Sequence, residues 1–183
     1  AENGNSSWNL EGQWHITDHR SWSADHSFYC GKNGQWEYGN GWDYSLVSPE
    51  IYIAPESALS FYRWFSVPVY GNDGLVVEIK QDHEWSILDY SGSGGALPAL
   101  SLQSNWHPRT VTLENYTGPA QIRFVFHSNH SNVDEGFYID DIEVNGYTGS
   151  PQGSEKPDFG NHKPVIAAAG WWNTSLDSNG GSL

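Results

Sequence analysis

The chain has 183 residues, of which 37% are hydrophobic and only 16% charged, which excludes a charge-rich disordered chain and allows one medium-sized domain with a tail. A formal net charge of −14, with only eight lysines and arginines, argues against nucleic acids and anionic membranes as partners. No apolar run of about 18 residues exists, so no membrane span is predicted, and the single cysteine, Cys30, excludes a disulfide within the chain.

Short strands separated by turn residues are predicted along most of the chain. The clearest strand has a period of two, because Leu59, Phe61, Arg63 and Phe65 alternate with Ser60, Tyr62, Trp64 and Ser66. No long apolar stripe of helical period is present. Residues 32–45 and 91–96 read as loops. The other predicted strands are 14–17, 27–30, 46–53 with a break at Pro49, 75–80, 85–90, one around Val111 and Leu113, 121–127 and 136–144. This pattern predicts an all-β, two-sheet antiparallel sandwich.

The composition changes after the last predicted strand. Residues 1–146 form the predicted sandwich, and 147–163 are a linker rich in Gly, Pro and Ser. Residues 164–183 form an extended C-terminal tail whose apolar side chains need a partner, chiefly Val165, Ile166, Trp171 and Trp172.

Three interpretations of the tail remain open. It is the start of a further domain in a longer protein, since 161–170 resembles the opening of a PKD-type immunoglobulin-like domain. Alternatively, it packs on its own sandwich. As a third possibility, it adds as a strand to a neighbouring subunit, which repeated head to tail would build a homopolymeric filament or surface layer.

No catalytic motif is present in the sequence. It contains no His-Glu-x-x-His, no Gly-x-Ser-x-Gly elbow and no glycine-rich phosphate loop. Carboxylates are frequent, but nothing singles out one pair for glycoside hydrolysis. The chain is therefore predicted not to be an enzyme, with no catalytic residues.

The strand 136–144 carries two adjacent carboxylates, Asp140 and Asp141. Carboxylates on a strand are costly to desolvate unless a cation, a hydrogen-bond donor or water meets them. One interpretation is a bound Ca²⁺, which takes carboxylate and backbone oxygens together. The other is that one Asp faces water while its neighbour accepts backbone N–H bonds. The residues alone leave both open.

Several short signatures occur in a family-specific order, ending in Glu135-Gly136-Phe137-Tyr138-Ile139-Asp140-Asp141-Ile142. Earlier ones are Trp14-His15, His26-Ser27-Phe28-Tyr29, Leu46-Val47-Ser48-Pro49-Glu50-Ile51, Leu59-Ser60-Phe61, Asp73-Gly74-Leu75-Val76-Val77-Glu78-Ile79 with Trp85, Leu113-Glu114-Asn115-Tyr116-Thr117-Gly118 and Ile122-Arg123-Phe124-Val125-Phe126. Together, over about residues 8–144, they resemble the MAM-like jelly-roll modules of secreted microbial proteins. Such modules include the C-terminal regions of immune-inhibitor-A-type metalloproteases and gingipain-like cleaved adhesins. The last strand is also similar to that of jelly-roll carbohydrate-binding modules.

The resemblance implies a jelly-roll fold, an adhesive or recognition role outside the cell, and a structural calcium site. Asp140 or Asp141 would be the calcium ligand from the last strand. Glu11 and Asp25 are the early acidic residues nearest the expected position, with backbone carbonyls as the alternative.

The segment 35–44 is the predicted binding loop, because glycines separate four aromatic residues: Trp36, Tyr38, Trp42 and Tyr44. Exposed aromatic rings stack on sugar C–H faces, and neighbouring polar residues bind hydroxyls. The alternative is that the rings fold back to cap the sandwich.

The sequence also predicts a glycosylated surface protein. Four Asn-X-Ser/Thr sequons begin at Asn5, Asn115, Asn129 and Asn173. The predicted function is therefore a secreted or cell-surface adhesion or recognition module, with structural calcium, that binds a glycan or a surface protein. The alternative is a filament subunit.

Overall fold

The computed structural model describes residues 7–93 and 104–145. These ranges contain eleven β-strands and no helix. None of the described residues belongs to a helix with the length and apolarity needed to cross a membrane. The strands are β1 (Asn9–Leu10), β2 (Trp14–Thr17), β3 (Ser27–Cys30), β4 (Asp43–Val47), β5 (Ile51–Ile53), β6 (Ala58–Ser66), β7 (Gly74–Gln81), β8 (Glu84–Gly92), β9 (His107–Thr112), β10 (Gly118–His127) and β11 (Gly136–Asn145).

The strands form two antiparallel sheets packed face to face. The first has the order β1-β4-β10-β7-β8, with β5 paired to the start of β10. The second has the order β2-β3-β11-β6-β9. The long strands β6 and β11 lie in the second sheet, whereas β7, β8 and β10 lie in the first, where β7 and β8 form a hairpin. The predicted all-β, two-sheet antiparallel sandwich is confirmed.

The core follows from the two-residue period of the strands. In β10, the side chains of Ile122, Phe124 and Phe126 point inward and have no exposed surface. Each such side chain contributes about 1.5–3 kcal/mol when it leaves water, so the alternation fixes which face of each strand is buried. The predicted strand 121–127 therefore lies at the centre of the first sheet.

Arg63 is the exception among the inward-facing residues. Arg63 lies on the same face of β6 as Phe61 and Phe65, as the two-residue alternation of this strand predicted. It is only 3% exposed. Its guanidinium lies 3.4 Å from the carboxylate of Asp89, and Arg109 binds the same carboxylate at 2.6 Å. Burial lowers the pKa of Arg63. This ion cluster joins β6 and β9 of one sheet to β8 of the other.

Several element boundaries differ from the sequence prediction, including the start of β10 at Gly118, and β1 was not predicted. β4 begins at Asp43, inside the predicted loop 32–45, and β8 extends to Gly92, into the predicted loop 91–96. In both places, pairing with a neighbouring long strand extends the ladder beyond the hydrophobic pattern. The strand predicted around Val111 and Leu113 is β9, which ends at Thr112, one residue before Leu113.

The predicted linker 147–163 and tail 164–183, with Val165, Ile166, Trp171 and Trp172, lie outside the described residues, as do Asn5 and Asn173. The division of the chain at residue 146 stays a prediction, and so do the tail's contacts.

Candidate functional site

The outer face of the second sheet carries a closed aromatic group, which we call the Tyr138 cluster. Its members are Tyr29, Trp64 and Tyr138, of which none is more than 5% exposed. The rings of Tyr29 and Tyr138 stack with centroids 4.2 Å apart, and Trp64 meets Tyr138 edge-on at 5.3 Å. These residues alternate with inward-facing ones on β3, β6 and β11, so the sheet has a second small core on its outside.

Polar groups of the Tyr138 cluster are paired through Glu135. The hydroxyl of Tyr29 donates to the Glu135 carbonyl at 2.7 Å, and that of Tyr138 donates to its carboxylate at 2.8 Å. Arg20 donates two hydrogen bonds to the same carboxylate, at 2.6 and 2.9 Å. Burial alone would raise the pKa of Glu135. The hydrogen bonds from Arg20 and Tyr138 outweigh burial, so the pKa is lowered. The guanidinium of Arg20 also lies 4.1 Å from the Trp64 ring centroid, so the cluster is covered and both tyrosine hydroxyls are hydrogen-bonded.

Trp36, the first predicted binding-loop residue, packs against this cluster. Its ring stacks on His19 with centroids 3.7 Å apart, and it lies 5.9 Å from the Tyr29 ring. Trp36 therefore helps to cover the cluster.

The other three binding-loop residues lie at one end of the sandwich. Tyr38 has no exposed surface, and its hydroxyl donates to the buried carboxylate of Asp73 at 2.5 Å. Trp42 and Tyr44 are half-buried, 5.1 Å apart, and pack against the main core. The four predicted rings are therefore divided between two regions and do not line one groove.

Asp140 lies buried on β11, and its carboxylate accepts three backbone N–H bonds. The donors are Trp22 and Ser23, at 2.8 and 3.1 Å, and Asp141 at 2.8 Å. Burial raises the pKa of Asp140 to about 6, while these N–H bonds act in the opposite direction. The N–H partners are those that the sequence allowed as the alternative to a metal ion.

Asp141 lies at an irregularity of the strand. Its φ is +47°, and the pairing of β11 with β6 shifts register between Asp140 and Glu143. The hydroxyl of Ser23 donates to the Asp141 carboxylate at 2.6 Å. This bulge places two neighbouring carboxylates near one loop, residues 21–23.

The predicted calcium ligands are not assembled into one site. Glu11 bonds through its backbone to Ser45 of β4, in the opposite sheet from Asp140, and Asp25 is exposed in the loop before β3. Within residues 7–93 and 104–145, no group of three or more His, Cys, Asp or Glu side chains converges as a metal site would require. These four residues do not fit one calcium site, and the sequence-based calcium prediction stays a prediction.

The loop bound by Asp140 displays an aromatic pair that sequence reasoning missed. Trp22 is 48% exposed, and its ring stacks on Tyr62 with centroids 4.2 Å apart and planes 12° from parallel. The two-residue period already placed Tyr62 on the outer face with Ser60. Trp22 had no such signal, because it is an isolated aromatic residue in a polar loop.

We call this surface the Trp22–Tyr62 patch, comprising Trp22, Ser60, Tyr62, Asp141 and Glu143. Ser60 lies on β6 directly opposite Glu143 of β11. Among the described residues, the Tyr62 hydroxyl, the Ser60 hydroxyl, the Trp22 indole N–H and the Glu143 carboxylate have no hydrogen-bond or ion-pair partner. The patch thus combines an open aromatic ring with unused donors and acceptors.

Trp85, on the outer face of the first sheet, is in a different environment. The guanidinium of Arg123 lies 4.0 Å from its ring centroid and is also paired with Glu78. Ile87 is 69% exposed on the same face. Lys80 Nζ also lies 5.8 Å from the Trp85 ring centroid, so two cations of the same chain already flank this ring.

Two predicted glycosylation sequons lie in the described residues. Asn115 is exposed in the turn between β9 and β10. Asn129 is half-buried, and its side-chain oxygen accepts a hydrogen bond from the Ser131 backbone at 2.6 Å. Asn115 is therefore more exposed than Asn129 in the folded chain.

Comparison with known proteins identifies the fold. No protein-family model matches the sequence, and no curated protein matches it. Among solved structures, TmCBM61 in complex with β-1,4-galactotriose is 12% identical, with a TM-score of 0.50 over 78% of this chain and 91% of its own. A carbohydrate-binding module structure from the β-sandwich superfamily is 14% identical, with a TM-score of 0.51 over 78% of this chain and 59% of its own.

The K2 cleaved adhesin domain of Lys-gingipain is also similar, at 18% identity and a TM-score of 0.48, over 79% of this chain and 90% of its own. The predicted resemblance to jelly-roll modules is confirmed at the level of the fold. At these identities, the likeness shows the jelly-roll sandwich fold alone.

Proposed function

We propose that this chain is a non-catalytic recognition module that binds a glycan through the Trp22–Tyr62 patch. The observation that carries the proposal is the half-exposed Trp22 ring, stacked on Tyr62 and surrounded by unpartnered polar groups. Tryptophan usually hides most of its surface in a folded protein. An exposed ring presents a flat apolar face to sugar C–H groups, while adjacent hydroxyl and carboxylate groups bind sugar hydroxyls.

The anchoring of Trp22 also supports this role. Its backbone N–H is held by the buried Asp140, and its ring rests on a residue of a central strand, so the surface is formed before a ligand arrives. Preorganisation of this kind lowers the entropic cost of binding. The fold is compatible with the proposal, because the structure of TmCBM61, which has a similar fold, is a complex with β-1,4-galactotriose.

The test is glycan binding by matched aromatic variants. The parent protein is screened on a glycan array, and the glycans it binds are measured by calorimetry with Trp22→Ala and Tyr70→Ala. Trp22→Ala should weaken binding about tenfold, because a ring stack contributes about 1.4 kcal/mol. Tyr70 is 89% exposed with no ring partner among the described residues, so Tyr70→Ala should bind like the parent.

A third variant separates this patch from the sequence-predicted loop. Trp42→Ala alters the half-buried pair at the end of the sandwich and leaves the patch intact. If Trp42→Ala loses binding while Trp22→Ala keeps it, the site is the loop predicted from the sequence. If the parent binds no glycan, the proposed function is wrong.

We also propose that the module acts outside the cell, since four sequons and an exposed Asn115 support glycosylation in a secretory pathway. Structural calcium and a surface protein as the ligand stay predictions from the sequence. The same holds for a filament linked through the tail, which lies outside the described residues.

A further inference from the structure

Glu143 is unusual among the acidic residues of the described chain. Seven other carboxylates there are buried or half-buried, and each has a hydrogen-bond or ion-pair partner: Glu37, Asp73, Glu78, Asp89, Glu135, Asp140 and Asp141. Glu143 is half-buried and has none among these residues. A partly desolvated carboxylate without a partner is costly, so this position calls for a donor from outside the chain.

The second unusual feature is the sign of the charge around the patch. Asp141 lies close enough to Glu143 to repel it, and its carboxylate has one hydroxyl donor and no cation. The arginines of this sheet and of its connecting loops form ion pairs away from the patch. Arg20 is paired with Glu135, and Arg63 faces the interior toward Asp89. Neither of these arginines therefore offsets the charge at the patch.

The aromatic pair and the unpaired Glu143 carboxylate lie on the outer face of the second sheet. Ser60 and Tyr62 are two residues apart on β6, which corresponds to about 6.8 Å along a strand, and Glu143 pairs with Ser60 across the ladder. This distance matches the scale of one sugar ring with its substituents. One sugar unit stacked on Trp22 can thus direct a substituent toward Glu143.

We propose that the patch selects a glycan carrying a free, positively charged amino group, such as a 2-amino-2-deoxy sugar, over neutral and acidic glycans. This inference rests on the proposed function of the patch. The ammonium group donates to Glu143 and Asp141, while the sugar ring covers Trp22. An acidic sugar is disfavoured, because it brings a third negative charge to the same surface.

The experiment compares two ligands that differ only in the charge of one group. Affinities of β-1,4-linked glucosamine and N-acetylglucosamine oligosaccharides of equal length are measured by calorimetry at about pH 5.5, where most of the amine is protonated. Excess chelator is present, so that calcium cannot compete for the carboxylates. The parent should bind the free amine about three- to tenfold more tightly, as for a partly exposed charge-assisted hydrogen bond.

Glu143→Gln should remove that preference, because it weakens binding of the free-amine ligand about three- to tenfold more than binding of the N-acetylated ligand. Its matched control is Glu84→Gln, an exposed carboxylate at the start of β8 in the opposite sheet, which should keep the preference.

The outcomes distinguish the two proposals. Trp22-dependent binding of both oligosaccharides with equal affinity would overturn the charge preference and keep the glycan site. Absence of Trp22-dependent binding to any sugar would overturn the proposed function itself. Trp22-dependent binding of an oligolysine peptide without sugar binding would also overturn both, and would assign the patch to a basic protein partner.

Discussion

The outer face of the second sheet carries two aromatic groups with opposite properties. The Tyr138 cluster is buried beneath Arg20, Trp36 and the loops around them, and its hydroxyl groups are paired through Glu135. The Trp22–Tyr62 patch also stacks two rings in parallel, yet one ring is half-exposed, and the side chains of Ser60 and Glu143 lack partners among the described residues. Both groups are built from the same residue types, so aromatic content alone does not distinguish a core from a binding surface.

What distinguishes the two groups is the way each is completed. The Tyr138 cluster is completed by side chains of its own chain, so its aromatic surface is already out of water. The Trp22–Tyr62 patch uses a buried carboxylate to fix a loop, and it leaves the ring and a second carboxylate open. The first arrangement stabilises the fold, whereas the second has surface and hydrogen bonds left for a ligand.

The largest expected effect is the loss of stability caused by a substitution in the Tyr138 cluster. Tyr138→Ala should lower the free energy of unfolding by about 3–5 kcal/mol, because it removes a fully buried aromatic ring and leaves a cavity. Trp22→Ala, the matched change in the open patch, should cost less than about 1 kcal/mol. Urea unfolding followed by fluorescence measures both. Equal losses for the two variants would mean that the patch is a structural cap.

A smaller effect concerns the carboxylates that anchor the two groups. Burial raises the pKa of Asp140 from 3.8 to about 6, so the folded state binds a proton more tightly than the unfolded state. The free energy of unfolding therefore falls as the pH rises through that window. Between about pH 4 and pH 7, the parent should lose about 2–3 kcal/mol more than Asp140→Asn does.

Glu135 is the control with the opposite sign, because its pKa is lowered. Its contribution is present above the ordinary glutamate pKa and is lost as the pH falls through the lowered value. Glu135→Gln should therefore differ most from the parent at neutral pH and least in acid. If Asp140→Asn and the parent have the same pH dependence in unfolding experiments, Asp140 is not the buried titrating group of this sheet.

The smallest expected effect is that of chelation. The carboxylate of Asp140 already accepts three N–H bonds, so excess chelator should shift the melting temperature by less than about 2 °C. Differential scanning fluorimetry checks this. A drop of several degrees, with calcium found by elemental analysis, would instead support the calcium site predicted from the sequence.

Sequence reasoning predicted the sandwich because its signal is local. Ile122, Phe124 and Phe126 alternate with polar residues, and burying one face of such a strand determines which side chains point inward. Arg63 shows the strength of that signal, since its period placed an arginine on the core side and the structure confirms it. The ends of β4 and β8 were less predictable, because pairing with neighbouring strands extends them.

The binding residues were less predictable, because exposure depends on distant contacts. Tyr38 and Trp36 read as an open aromatic loop, but Asp73 accepts a hydrogen bond from Tyr38 and His19 stacks on Trp36. Conversely, Trp22 gave no local signal. Its position depends on Asp140, which is 118 residues away in the chain.

The sequence by itself determined the all-β class, the inward face of the long strands and the presence of a strand at Asp140–Asp141. Each of these follows from side-chain periodicity and from the cost of burying polar groups. Only the tertiary structure decided which aromatic residues are covered and which carboxylate lacks a partner. The physical reason is that exposure and pairing belong to contacts between β6, β11 and the loop at Trp22, and no single segment encodes such contacts.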